Sequence, residues 1–421
     1  MSGDGPLEPD DDGTDPQQNP FGFLGLPFLG DLGKLLGGAG DQVWENARQM
    51  ARAIASEGTS EPNVDPTVRV RYEELARIAE LHVQSVTGLR VPHDGADPVQ
   101  VVTRSEWASR TVDDFRPVFD ALGDAFSMTP PADLPADDPT AQFLAPLLAA
   151  LGPMTRSMTA GGMVGHVGNR AFGSYELPVP RPPAGGTMVV ASNIDAFAET
   201  WELDLDALRL WICVERLAYH AVLSVPHVNE EVSALLTRFA RGFRSDPSSL
   251  TDQLGSLDPM QMMSDPSAME SLFSDPQALI GAMRSPEQDE VQPRIASMLA
   301  TLIGYVDHVL DTTAAKLIGE PYAMLSEALR RRRVEATEAD RFVEQLLGVE
   351  LERETVEAGQ RFVAGVIERA GDAGLARLWE APGRLPTPNE LAAPGLWLAR
   401  IDLDEPTSDE PTPDDPGADD D

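Results

Sequence analysis

The chain has one cysteine, Cys213, and two lysines, Lys34 and Lys316, in 421 residues. A lone thiol excludes an intrachain disulfide and fits a reducing compartment. A net charge of −37 argues against nucleic-acid binding, because phosphate contacts need a basic surface. No run of 18 or more uncharged apolar residues occurs, so no transmembrane helix is expected. Met1 to Pro20 lacks a basic stretch followed by an apolar one. No secretory signal is therefore expected, and the chain reads as cytoplasmic.

The negative charge is concentrated at the ends. Residues 1–20 carry six acids and no base, and residues 402–421 carry ten acids and no base. Runs of like charge repel themselves and stay solvated. Residues 1–20 and 401–421 are thus expected to be disordered acidic tails around a body of residues 21–400. Residues 21–40 are apolar but include seven glycines, too many for a stable isolated helix, and are expected to fold back on the body. Residues 245–288 repeat an Asp-Pro step at Asp246-Pro247, Asp258-Pro259, Asp265-Pro266 and Asp275-Pro276. Each step caps and starts a short helix. Five methionines between Met260 and Met283 make this insertion a candidate contact surface.

Apolar residues recur at helical spacing along most of the body. Helices are expected at 41–56, 67–87, 104–126, 140–172, 194–200, 204–223, 292–315, 321–332, 337–347, 352–370, 374–380 and 388–394. Asp65-Pro66 reads as a helix start. Pro178, Pro180, Pro182 and Pro183 exclude a central strand before 187, which leaves 187–191 as one short strand. The fold class is mainly α, with at most a small strand element.

The helix at 204–223 carries Leu208, Trp211, Ile212, Leu217 and Leu223, apolar enough for burial, and reads Glu215-Arg216-Leu217-Ala218-Tyr219 at its centre. It is built like a helix that carries His-Glu-x-x-His. That motif puts two histidines on one face, four residues apart, where both reach one zinc while the glutamate polarises a bound water. Those residue types are absent here.

Further segments are Glu61-Pro-Asn-Val-Asp-Pro66, the run from Gly165 to Pro180, Asn193, Leu208-Arg-Leu-Trp211, Gly304-Tyr-Val-Asp-His308, Arg330-Arg-Arg-Arg333, Leu346-Leu-Gly348, Leu385-Pro-Thr-Pro-Asn-Glu390 and Trp397. In this order and spacing the chain resembles the actinobacterial zincin-like metallopeptidases of the second type, over most of residues 21–400. The resemblance implies a zincin-like helical body and, in intact members, a zinc-dependent hydrolase. It carries the first histidine onto Glu215, the glutamate onto Arg216 and the second histidine onto Tyr219. The third ligand, expected as a glutamate before a Gly-aromatic pair, falls on Ile303. No zinc or other cofactor is expected on this carry-over.

The leading expectation is a noncatalytic family homologue that binds a protein or peptide. One alternative is an active metallohydrolase with a site rebuilt from Glu215, His220, Asp307 and His308. Another is a regulatory partner of an intact paralogue. In place of the metal, Arg216 is expected to pair with Glu199 or Asp307, and Tyr219 to donate a hydrogen bond. His82 and His93 read as surface or helix-end groups, His227 as a loop residue, and His166 as packed or capped. Cys213 reads as an inert buried thiol, and Arg330 to Arg333 as a solvated or salt-bridged helix face.

Overall fold

The computed structural model describes residues 40–95, 97–125, 139–243 and 284–403. The acidic tails, most of residues 21–40 and most of the Met-rich insertion lie outside the described residues. From Val43 onward the chain belongs to one compact unit.

The architecture is helical with a two-stranded parallel sheet. In chain order, α1 is Asp41–Ala55 and α2 Pro66–Thr87; β1 is Val99–Val102; α3 is Arg104–Asp114, α4 Arg116–Ala125 and α5 Pro139–Arg170. Then β2 covers Thr187–Val190, α6 Ala191–Thr200, α7 Leu205–Leu223 and α8 Pro226–Arg241. After the insertion come α9 (Pro286–Ile318), α10 (Tyr322–Val334), α11 (Glu338–Leu347), α12 (Arg353–Ala376), α13 (Pro388–Ala392) and α14 (Pro394–Leu403).

The helix starts follow from local chemistry. The Asp65 side chain accepts from the Thr67 N–H ahead of Pro66, and the Asp204 side chain accepts from the Ala207 N–H at the start of α7. Ser285 with Gln288, Thr337 with Asp340 and Thr387 with Glu390 form reciprocal capping boxes. Each satisfies amide donors that the first helical turn leaves without partners.

Several boundaries differ from the sequence expectation. The helix at 104–126 is two helices, because Phe115 leaves helical geometry between α3 and α4. Helix α9 begins at Pro286, earlier than expected, and continues through Pro293. Strand β1 was not anticipated. It pairs Val99 with Thr187 through Val102 with Val190, a crossover that a four-residue Val-Gln-Val-Val run does not announce. His227 is not in a loop. Pro226 occupies the first turn of α8, where a proline's missing N–H costs nothing.

Helix α7 is the centre of the body, and along it only Leu205, Asp206, Ala207 and Glu215 are not buried. It packs on α9 and α2, and α9 packs in turn on α12. The α9–α12 crossing is backbone on backbone. A Cβ on Gly304 would lie 2.4 Å from the Gly359 carbonyl carbon, and one on Gly359 would lie 1.8 Å from the Ala300 carbonyl oxygen. This close approach fixes the turn of α9 that bears Ile303 and Asp307 against α12.

Candidate functional site

A small, solvent-open cleft lies where α5, α7, α9, α10 and α11 meet. Glu215, Arg216, Tyr219 and Ile303 all line it. Positions 215, 216 and 219 share one side of α7 by helical spacing, and Ile303 arrives from α9. The four positions picked out in the sequence thus converge in space.

Side-chain contacts fill the wall they form. Arg216 is 4% exposed in its side chain, and its Nη2 lies 3.3 Å from Glu176 Oε2 and 3.2 Å from Glu215 Oε2. Its Nη1 donates to the Ser174 carbonyl at 2.8 Å. Arg332 Nη2 meets the other Glu176 oxygen at 2.5 Å, and its guanidinium sits 3.8 Å from the Phe172 ring centroid. Arg333 bridges Glu215, at 3.4 Å, and Asp307, at 3.1 Å, and Gln360 donates to Asp307 at 2.9 Å. The result is an alternating chain, Arg332–Glu176–Arg216–Glu215–Arg333–Asp307, with three charges of each sign. A buried charge is tolerated only when paired and hydrogen-bonded, and every charge of this chain is paired, although Arg216 Nε has no acceptor among the described residues.

The electrostatics agree. Burial pushes the Glu176 carboxyl up, but Arg332, Arg216 and the Phe172 N–H outweigh it and hold the group below its ordinary value. Arg333 loses hydration by burial, yet Asp307 and Glu215 keep it firmly charged. Burial pushes the Tyr219 hydroxyl well above its ordinary range, so it stays a neutral phenol. Tyr219 stacks on Tyr175, with centroids 6.1 Å apart. Tyr175 holds a left-handed backbone, φ 60°, which is strained for a bulky side chain. The next residue, Glu176, lines the cleft.

Arg216 therefore pairs with Glu176 and Glu215 rather than with Glu199 or Asp307. Glu199 is exposed near the end of α6, and Asp307 is engaged by Arg333. Nor do Glu215, His220, Asp307 and His308 come together. His220 is fully buried, and its Nε2 donates to the Pro92 carbonyl at 2.7 Å while its Nδ1 accepts from the Tyr175 hydroxyl at 2.7 Å. Burial lowers its pKa, which fits a neutral ring with both nitrogens occupied. His308 turns about 100° from Asp307 and meets Asp372 at 3.4 Å. Among the described residues, no three His, Cys, Asp or Glu side chains are placed to hold a metal.

The zincin-like metallopeptidase family matches the chain over residues 43–398. The chain belongs to that family. A solved structure from Chloroflexus aurantiacus, described as "a putative hydrolase with a novel fold", is similar to it. The identity is 22%, the match covers 85% of this chain and 98% of that one, and the TM-score is 0.56. At that identity the likeness is one of fold. No curated protein matches the chain.

Other residues of the chain are accounted for locally. His166 Nε2 lies 3.2 Å from Asp340, and Arg170 meets the same carboxylate at 2.7 Å. Burial of Cys213 pushes its thiol up to about 12, so it is not a nucleophile. Arg331 pairs with Glu335, while Arg332 and Arg333 turn into the cleft. The arginine run is therefore salt-bridged, but part of it serves the site. Among the described residues no helix is long and apolar enough to cross a membrane.

Sequence reasoning missed Glu176, Asp340 and Glu344 as cleft residues. Glu176 had a signal, since it follows Tyr175 in the Gly165–Pro180 run already singled out. Asp340 and Glu344, four apart on α11 and facing the cleft, had none.

Proposed function

We propose that the chain is a noncatalytic, cytoplasmic member of its family that binds a protein or peptide in the cleft. The observation that carries this is the ion-pair chain across Glu215 and Arg216, at the positions where the family would place a metal ligand and a catalytic base. The side chains there do not fit zinc. Ile303 offers no donor, Tyr219 is held as a neutral phenol, and Glu215 is taken up by two guanidinium groups. A divalent ion about 5 Å from the Arg216 charge would meet a repulsion of roughly 6–7 kcal/mol at an effective dielectric of about 20. No water-activating step is derived through such an ion. The chemistry left to the cleft is recognition by charge, hydrogen bonding and apolar contact, in a concave surface with convergent polar groups.

The test is peptide-bond hydrolysis by the full chain supplied with zinc, using fluorogenic casein. The expected result is no release above the buffer rate. Hydrolysis that disappears in Glu215→Ala or His308→Ala would overturn the reading in favour of a rebuilt metallohydrolase.

A further inference from the structure

Six large apolar side chains are exposed among the described residues, and three of them, Val70, Ile78 and Leu81, lie on α2 at 52%, 43% and 70% exposure. A surface helix normally turns a polar face to water, and apolar side chains exposed singly need no explanation. These three are grouped. At about 100° per residue, Val70, Glu74, Arg77, Ile78 and Leu81 fall within about 100° of arc. That arc is opposite the face that buries Tyr72, Leu75, Ala76, Ala79 and Val83. The stripe runs about 16 Å from Val70 to Leu81. No residue of α2 lines the cleft, so the stripe is separate from the site described above.

The charges within the stripe are ordered. Glu74 lies four residues after Val70, and Arg77 lies four residues before Leu81. A two-fold axis crossing α2 between Leu75 and Ala76 would bring up a second α2 running antiparallel. Val70 then meets Leu81 of the other copy and Glu74 meets Arg77, and the symmetry makes each pair twice. A parallel arrangement would instead set Glu74 against Glu74 and Arg77 against Arg77, which repel. Both charges are loosely held in the single chain. Glu74 meets Arg71 at 3.0 Å and Arg77 lies 3.7 Å from Asp97, with all four side chains at least 40% exposed. Ion pairs this exposed contribute little, so re-pairing across the axis gives up little.

We infer that the exposed stripe of α2 is a self-association face, on which a second copy of this chain packs antiparallel about a two-fold axis. Val70–Leu81 contacts lie at both ends, and Glu74–Arg77 pairs lie between them. The charge pairs set the orientation, and the apolar ends supply most of the contact. One helix from each copy covers less than the roughly 800 Å² per partner of a standard stable interface. The dimer is therefore reversible and forms at roughly tens of micromolar chain. Dimer formation and the absence of catalysis are independent, so failure of one leaves the other standing.

The experiment is sedimentation equilibrium of the full chain from about 1 to about 300 µM, in about 0.15 M sodium chloride to screen repulsion between the acidic copies. The native chain is expected to pass from monomer to dimer with a midpoint in roughly the tens of micromolar. Leu81→Glu, at the most exposed of the three apolar positions, is expected to weaken the dimer at least about tenfold. Glu74→Arg alone or Arg77→Glu alone opposes like charges across the axis and is expected to weaken it about as much. The two combined exchange the charges and keep every pair opposite in sign, so the double variant is expected to recover the native constant to within about threefold. All these positions are exposed, so the variants are expected to fold, which circular dichroism checks. The concentration series on the native chain stands without them. A monomer throughout the range or a dimer that Leu81→Glu leaves unchanged would overturn the inference. So would single charge reversals that have no effect, or that the double variant does not rescue.

Discussion

Arg216→Met removes the central cation of the cleft's ion-pair chain while keeping much of the side chain's length. The cost follows from what remains. Glu176 and Glu215, with side chains 9% and 12% exposed, each lose one of two arginines, and the Ser174 carbonyl loses its 2.8 Å donor. Breaking a buried ion pair by deleting one partner costs about 3–5 kcal/mol, because the other charge is left desolvated. Here Arg332 and Arg333 still offset part of that, so the lower end, about 3 kcal/mol, is expected. Losing the carbonyl's partner adds about 1 kcal/mol. Denaturant unfolding followed by circular dichroism should show a loss of about 3–4 kcal/mol with an unchanged slope. Arg216→Lys keeps the charge but loses the fork that reaches three acceptors, and should fall between Met and the native residue. Combining Arg216→Met with Glu176→Gln should cost less than the sum of the single changes, since the two touch. A loss below about 1 kcal/mol for Arg216→Met, or strict additivity in the double variant, would refute the view that this network is a closed structural substitute for a metal.

Two other outcomes follow from named contacts. Gly359→Ala forces a Cβ to within 1.8 Å of the Ala300 carbonyl oxygen and should cost about 2 kcal/mol or more by overpacking, whereas Gly162→Ala, with nothing within 4 Å on α5, should stabilise by about 0.5–1 kcal/mol through helix propensity; thermal midpoints check both. Glu344, raised to about 7 in the folded state, binds its proton more tightly there than in the unfolded chain, so its contribution to stability declines as the pH rises from about 4.5 to about 7. Glu344→Gln should therefore leave the midpoint nearly unchanged at about pH 4.5 and raise it at about pH 8, and an equal shift at both would contradict the assignment.

The parts of the fold that were legible in the sequence are those set by local chemistry. Asp65-Pro66 and Asp204 start helices because a side-chain oxygen and a fixed φ act within one turn. The apolar run around Trp211 announced a buried helix because burial on nearly every face leaves no polar stripe. Strand β1 was not legible, since four residues carry little periodicity and its partner lies more than eighty residues away. The break at Phe115 did have a mark, Pro117 in the first turn of α4, since a proline disfavours helical geometry just before it, but the apolar spacing across 104–126 hid it.

At the site, the convergence of Ile303 with Glu215, Arg216 and Tyr219 was readable from motif order. The identity of Arg216's partners was not. Glu176 lies forty residues upstream on a segment whose placement depends on the strained turn at Tyr175. Glu199 and Asp307 were reasonable candidates by charge alone. Arg332 and Arg333 belong to a four-arginine run, and only the packing of α10 decides which of the four turn inward. Glu344 carried no signal because an acid on an amphipathic helix looks the same whether or not a cation waits opposite.

The central claim is that side-chain pairing has replaced a metal on this helix. Its most direct test is the zinc content of untagged full-length protein after saturation with zinc and exhaustive desalting, measured beside a variant carrying Glu215→His, Arg216→Glu, Tyr219→His and Ile303→Glu. The native chain should retain no stoichiometric zinc, while the variant should gain it. One zinc per native chain, lost on changing Glu215, would contradict the account.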